Sequence, residues 1–176
     1  MSPRTLACVS SFIVLSGCYA GPLLGEEDKH CGSTVVTPNP ASCNVASDGG
    51  MSMMEAAEVR FNAEADDDDC KYHVKYSAKP IATNTDVTFT VTVTRKVDGM
   101  PALDLDPELE ASLGETHPAP NSNAETKSLG GGVYTIGPVR FDLPGNWNLK
   151  FHFAEQCTDI AEDSPHGHVT FAFSVP

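Results

Sequence analysis

From residue 70 onward, hydrophobic and polar positions alternate with a period of two, the spacing of a strand with one face buried. CKYHVKYS puts Cys70, Tyr72, Val74 and Tyr76 on one face and Lys71, His73 and Lys75 on the other. DVTFTVTVTR sets Val87, Phe89, Val91 and Val93 against four threonines. The β-branched residues fit the pleat, and threonine tolerates water on the outer face. NWNLKFHF turns Trp147, Leu149, Phe151 and Phe153 inward, and HVTFAFSV does the same with Val169, Phe171, Phe173 and Val175. GGVYTIGPVRFDLPG reads as two short strands around Gly137-Pro138. Strands of this kind without strong helices predict an all-β antiparallel sandwich of about 100 residues.

Ahead of that region the period is lost. Residues 19 to about 50 are rich in Gly, Pro, Ser and Asn and read as a disordered tether. MSMMEAAEVRF is ambiguous: Ser52 and Glu55 have capping-box spacing, whereas Val59 and Phe61 alternate as a strand would. Its methionines suit Cu(I), but a flexible apolar segment explains them better. The acidic run Asp66 to Asp69 lacks the alternation and glycine of a calcium loop and reads as a solvated turn.

The first residues, MSPRTLACVSSFIVLSGCYA, supply a short positive start at Arg4 and an apolar run too short to span a bilayer. The run ends in Leu15-Ser16-Gly17-Cys18, which resembles a bacterial lipobox, in which the cysteine is lipidated and becomes the first mature residue. The alternative is an ordinary signal cleaved after Ala20. The predicted organisation is therefore a lipoprotein signal over 1–17, a flexible tether over 18–58 and one β-domain over 59–176. Export implies an oxidising compartment, where disulfides persist. With Cys8 in the signal and Cys18 lipidated, Cys31, Cys43, Cys70 and Cys157 remain. Four cysteines allow three pairings. The favoured one is a local Cys31–Cys43 loop, which leaves Cys70 with Cys157. Four thiolates on zinc are a weaker reading without a C-x-x-C pair.

The formal net charge of -13 makes the chain a poor partner for phosphate backbones, so nucleic-acid binding is not expected. The stretch Gly132-Val133-Tyr134, followed by Val139-Arg140-Phe141-Asp142-Leu143-Pro144-Gly145-Asn146-Trp147-Asn148-Leu149, resembles the YtkA-like/FixH-like family of small exported bacterial domains. The resemblance runs over roughly residues 85 to 175. It implies an Ig-like β-sandwich outside a membrane, and some relatives are linked with copper handling or oxidase assembly. In an Ig-like topology the first strand begins beside the loop before the last strand, which is how Cys70 would reach Cys157. The chain departs from membrane-anchored relatives in its lipid-type signal. Tyr19, rather than aspartate, follows Cys18, which by lipoprotein sorting rules directs the chain to the outer membrane.

Parity places His152 and His168 on the outer face of their strands. If the last two strands form a hairpin with Phe153 opposite Gly167, the two histidines face each other with Cβ atoms about 4.5–5.5 Å apart. His166 shares that face if the strand extends back through Gly167, and His117, between prolines in ETHPAPN, is a fourth candidate. Such a set suits Zn(II) or Cu(II) and keeps a coordination position open. Ordinary surface histidines are the competing explanation. His30 and His73 read as solvated.

No Ser/His/Asp, HExxH or phosphate-loop motif is present, and nothing positions Glu155 or Asp159 as a base, so no enzyme activity is expected. The function expected is a lipid-anchored cell-envelope module binding copper or zinc through His117, His152, His166 and His168. The alternative is a structural or protein-interaction module of the envelope without metal.

Overall fold

A computed structural model describes residues 36, 38–45, 59–103, 105–121, 125–154 and 167–176. Among the described residues nine strands follow one another: β1 (Asn62–Asp66), β2 (Tyr72–Ala78), β3 (Asp86–Arg95), β4 (Asp106–Leu113), β5 (His117–Pro118), β6 (Glu125–Gly130), β7 (Val133–Arg140), β8 (Gly145–Ala154) and β9 (His168–Val175). They form a five-stranded sheet in the order β1-β2-β3-β7-β6 and a four-stranded sheet in the order β5-β4-β8-β9. Every ladder is antiparallel. With β1 set aside, the two orders are the A-B-E-D and C′-C-F-G arrangements of an Ig-like sandwich.

The alternating faces land as the period demands. Val74, Tyr76, Phe89, Val91, Val93, Trp147, Leu149 and Phe151 are wholly buried, and Phe153, Val169, Phe171, Phe173 and Val175 nearly so. Tyr76 is central: its ring lies 5.6 Å from that of Phe89, 5.9 Å from Phe151 and 5.0 Å from Phe171. The contacts to Phe89 and Phe171 are edge-to-face and that to Phe151 is tilted, and such aromatic pairs add to the area term. Trp147 closes one end, its indole N–H donating to the Leu143 carbonyl at 2.9 Å.

Four strands were not apparent from the period. β4 carries Pro107 and two glutamates, which mask the inward Leu109 and Ala111. β6 is an exposed edge with almost no inward face, β5 has two residues, and β1 is short and acidic. The two short strands expected around Gly137-Pro138 are instead one strand, β7, running through a cis Gly137-Pro138 bond. Gly137 permits this: it has φ +148°, and a Cβ there would stand 2.8 Å from the Val87 carbonyl oxygen. The β3–β7 register shifts between Val87 and Phe89 at the same level.

Part of the stretch assigned to the tether belongs to the domain. Val36 is buried with the core. Residues 40–42 form a short 3-10 turn, and Val45 makes a parallel bridge to Asp66 at the end of β1. The Ser52–Glu55 helix signal lies outside the described residues. Among the described residues no helix is long and apolar enough to cross a membrane.

Candidate functional site

The β8–β9 ladder runs from Gly145↔Val175 to His152↔His168. The Phe153 amide donates to the Gly167 carbonyl at 3.1 Å, which makes 153/167 a narrow, hydrogen-bonded pair. The neighbouring pair, 152/168, is then of the non-hydrogen-bonded type, in which side chains approach closest. The two imidazoles project from the outer face with ring centroids 6.0 Å apart and planes tilted by 33°. Parity fixed the face, and the hairpin register brings the pair together.

Each ring has a carboxylate beside it. Asp68 takes up His168 three times over: its side chain meets Nδ1 at 2.9 Å and accepts from the backbone amide at 2.7 Å, while its own amide donates to the His168 carbonyl at 3.0 Å. A carboxylate on Nδ1 fixes that nitrogen as the protonated one and puts the imidazole lone pair on Nε2. Glu110, on β4, brings a carboxylate oxygen to 3.1 Å from His152 Nε2. The alignment is not that of a hydrogen bond, and Nε2 is shielded from solvent without a hydrogen-bond partner among the described residues.

The acidic turn that presents Asp68 is not solvated as expected: Asp66 and Asp67 are both buried. Asp66 sits in a cage of donors. It is ion-paired to Lys96, meets His73 Nδ1 at 2.8 Å and accepts from the Asn44 amide at 2.5 Å. Burial alone would raise its carboxyl, but the hydrogen bonds from Lys96, His73 and Asn44 and the Lys96 charge outweigh it and hold the group below its ordinary value. His73 is thus tied to the turn rather than merely solvated. Asp67 Oδ1 accepts from the Lys71 and Tyr72 amides at 2.8 Å each. Its Oδ2 is buried with no hydrogen-bond partner among the described residues. Burial pushes the Asp67 carboxyl up to about 6, helped by repulsion from Asp69 and Asp68, against the pull of those two amides. Gly167 makes the packing feasible, because a Cβ there would collide with Asp67 Oδ2.

A disulfide braces this turn, and it is neither bridge favoured from the sequence. Cys43 pairs with Cys70, Cα to Cα 5.4 Å, in place of Cys31–Cys43 and Cys70–Cys157. The physical reason is the docking of residues 39–45: the Asn39 amide donates to the Cys70 carbonyl at 2.9 Å and the Asp66 amide to the Asn44 carbonyl at 3.0 Å. Those bonds set Cys43 beside Cys70. Cys70 itself takes up a left-handed backbone conformation, with φ +58°. Cys31 and Cys157 lie outside the described residues, as do Cys18, Glu155 and Asp159.

His117 does not join the pair. The ladders align it with Leu113 and Trp147, at the far end of β8 from His152. Five residues of strand separate those levels, roughly 16 Å at about 3.3 Å per residue. There His117 Nε2 meets both Asp142 oxygens, at 2.9 and 3.1 Å, and its ring stands edge-on to Trp147 at 5.9 Å. It is a strand-end contact, so the four-histidine set is corrected to His152 and His168, with His166 outside the described residues. Among the described residues no group of three or more His, Cys, Asp or Glu side chains stands ready to hold a metal ion.

Comparison with protein-family models, with curated proteins and with solved structures finds no match.

Proposed function

We propose that the chain is a bacterial cell-envelope module, anchored through lipid on Cys18 at the outer membrane, whose sandwich binds copper or zinc through His152 and His168. One observation carries the reading: the β8–β9 register that sets the two imidazoles opposite each other. A metal bound by two imidazole nitrogens at about 2.0–2.1 Å holds the ring centroids roughly 5–6 Å apart, and the rings stand 6.0 Å apart. The net charge of -13 favours cations over anionic ligands.

The test is titration of the full chain, purified in detergent, with Zn(II) and with Cu(II), repeated on His152→Ala, His168→Ala and His117→Ala. Submicromolar binding lost in the first two and kept in the third is the expected result. Binding no tighter than that of a lone surface histidine, unchanged by all three, removes the metal reading. Palmitate labelling lost in Cys18→Ala checks the anchor.

A second reading, an interaction module without metal, draws on a different observation. Val97, Met100 and Leu103 in the β3–β4 connection and Leu129 at the end of β6 are large apolar side chains left more than half exposed. The two segments abut, since a Cβ on Gly132 would stand 3.0 Å from Pro101. Exposed apolar side chains grouped in this way mark contact sites. A blank titration makes this the working function.

A further inference from the structure

The ladders sort the connections of the sandwich to its two ends. Asp66 bridges to Val45, Tyr72 lies across from Arg95, and Thr92 lies across from Val133. The docked segment 39–45, the β1–β2 turn, the β3–β4 connection and the β6–β7 turn therefore share one end. Asp86 lies across from Arg140 at the other, where the β2–β3 and β7–β8 connections run. Six large apolar side chains are well exposed among the described residues, and five of them are at the first end: Val45, Val97, Met100, Leu103 and Leu129. Leu143 alone is at the second. Single exposed apolar residues are ordinary, whereas a group gathered at one end marks a contact surface.

The chain is joined to Cys18 from this same end. Asn39 Nδ2 donates to the Lys96 carbonyl at 3.3 Å, Lys96 Nζ donates to the Ser42 carbonyl at 2.7 Å, and the Cys43–Cys70 bridge makes the attachment covalent. Lys96 immediately precedes Val97, so the docked segment is fixed beside the apolar group. Val36 lies 18 positions after Cys18. That connection spans at most about 65 Å at about 3.6 Å per residue. We infer that this end of the sandwich rests on the bilayer that holds the Cys18 lipid, with Val97, Met100, Leu103 and Leu129 entering the headgroup region. The inference rests on the lipid anchor proposed above, stands apart from the metal, and names the partner of the apolar group.

Charge and tethering favour lipid over other occupants. An anchor in the same bilayer makes the second contact intramolecular, so a group of side chains too small to hold a free protein on a membrane suffices for an anchored one. A second copy would instead bring one chain of formal charge -13 against another. Three carboxylates of this end are paired: Asp66 with Lys96, Asp98 with Arg95 at 2.6 Å and Asp69 with Lys71 at 3.9 Å. That pairing suits the end to zwitterionic headgroups, while the overall charge opposes an anionic lipid surface.

The experiment places an indole at one exposed leucine at a time, in Leu103→Trp, Leu129→Trp and Leu143→Trp, each as the full palmitate-labelled chain in phosphatidylcholine vesicles. Native Trp147 is wholly buried and supplies the same background in all three. Circular dichroism confirms each fold. Brominated phosphatidylcholine, whose bromines quench indole emission on contact, should cut the added emission of Leu103→Trp and Leu129→Trp and leave that of Leu143→Trp unchanged. Met100→Asp added to Leu129→Trp should restore the emission while the chain stays with the vesicles. Labelled chains whose emission ignores bromine at all three positions, or is quenched equally at all three, overturn the inference and leave the anchor standing. Emission that follows protein concentration rather than bromine assigns the surface to a second copy and also overturns it. Absent palmitate labelling removes the anchor and this inference together.

Discussion

Replacing Asp67 by asparagine separates the two roles of its carboxylate. The amide oxygen of asparagine can still accept from the Lys71 and Tyr72 amides, while the partnerless Oδ2 gives way to a group that carries no charge. The ordinary value of 3.8 rises to about 6 in the fold because the side chain has no access to water. Between those values the folded chain keeps a proton that the unfolded chain has released. Stability from Asp67 is therefore full below 3.8 and is lost as pH rises through about 6. A rise of about two units, at roughly 1.4 kcal/mol per unit, amounts to about 3 kcal/mol over the whole window. Asp66 acts in the opposite sense: its lowered carboxyl contributes stability above 3.8 that is lost on acidification. Taking the difference between wild type and Asp67→Asn cancels the groups that titrate independently of Asp67, and leaves Asp67 with its coupling to Asp68 and Asp69. Urea unfolding with the disulfide intact, from about pH 4.5 to about pH 7.5, should show wild type losing about 2 kcal/mol relative to the variant. A difference that stays flat with pH refutes the reasoning, because Asp67 would then ionise as it does in water.

Two other outcomes follow from the same corner and from the core. Tyr76→Phe removes a hydroxyl buried without a partner among the described residues, whose ionisation burial pushes well up; it should raise stability by about 1 kcal/mol, or roughly 4 °C in Tm by calorimetry. Peptide mapping without reductant should recover Cys43 linked to Cys70, and breaking that bridge across a separation of 27 residues should cost about 3–4 kcal/mol in urea unfolding, a bridge lost without effect counting against the docked segment.

The sandwich was legible where one face of a strand is apolar and the other is not. In β3 the alternation of Val and Phe with Thr leaves one solution, and Trp147, Leu149, Phe151 and Phe153 give β8 the same clarity. His152 opposite His168 was legible for the same reason, since parity plus a hairpin leaves few registers. The acidic turn was opaque because sequence reports charge and not surroundings. Four aspartates in a row suggest water, yet Lys96, 30 residues from Asp66, and the Asn44 amide, 22 away, create the pocket. The disulfide was hidden with it, because Cys43 reaches Cys70 only after residues 39–45 dock. Glu110 was missed because β4 was missed: Pro107 and the glutamates lower strand propensity while burial of Leu109 and Ala111 decides the matter.

The hold of Asp68 on His168 has a consequence for how copies of the chain meet. Among the described strands β9 is the outermost of its sheet, and His168 directs its backbone amide and carbonyl away from β8. An open edge of this kind, on a strand as apolar as HVTFAFSV, is a template on which a neighbour's strand can add. Asp68 occupies both groups at the first rung, one through its side chain and one through its own amide. A strand creeping onto that edge is stopped where it would start. Where copies of the chain are crowded together, that capped rung favours separate molecules over a growing ribbon.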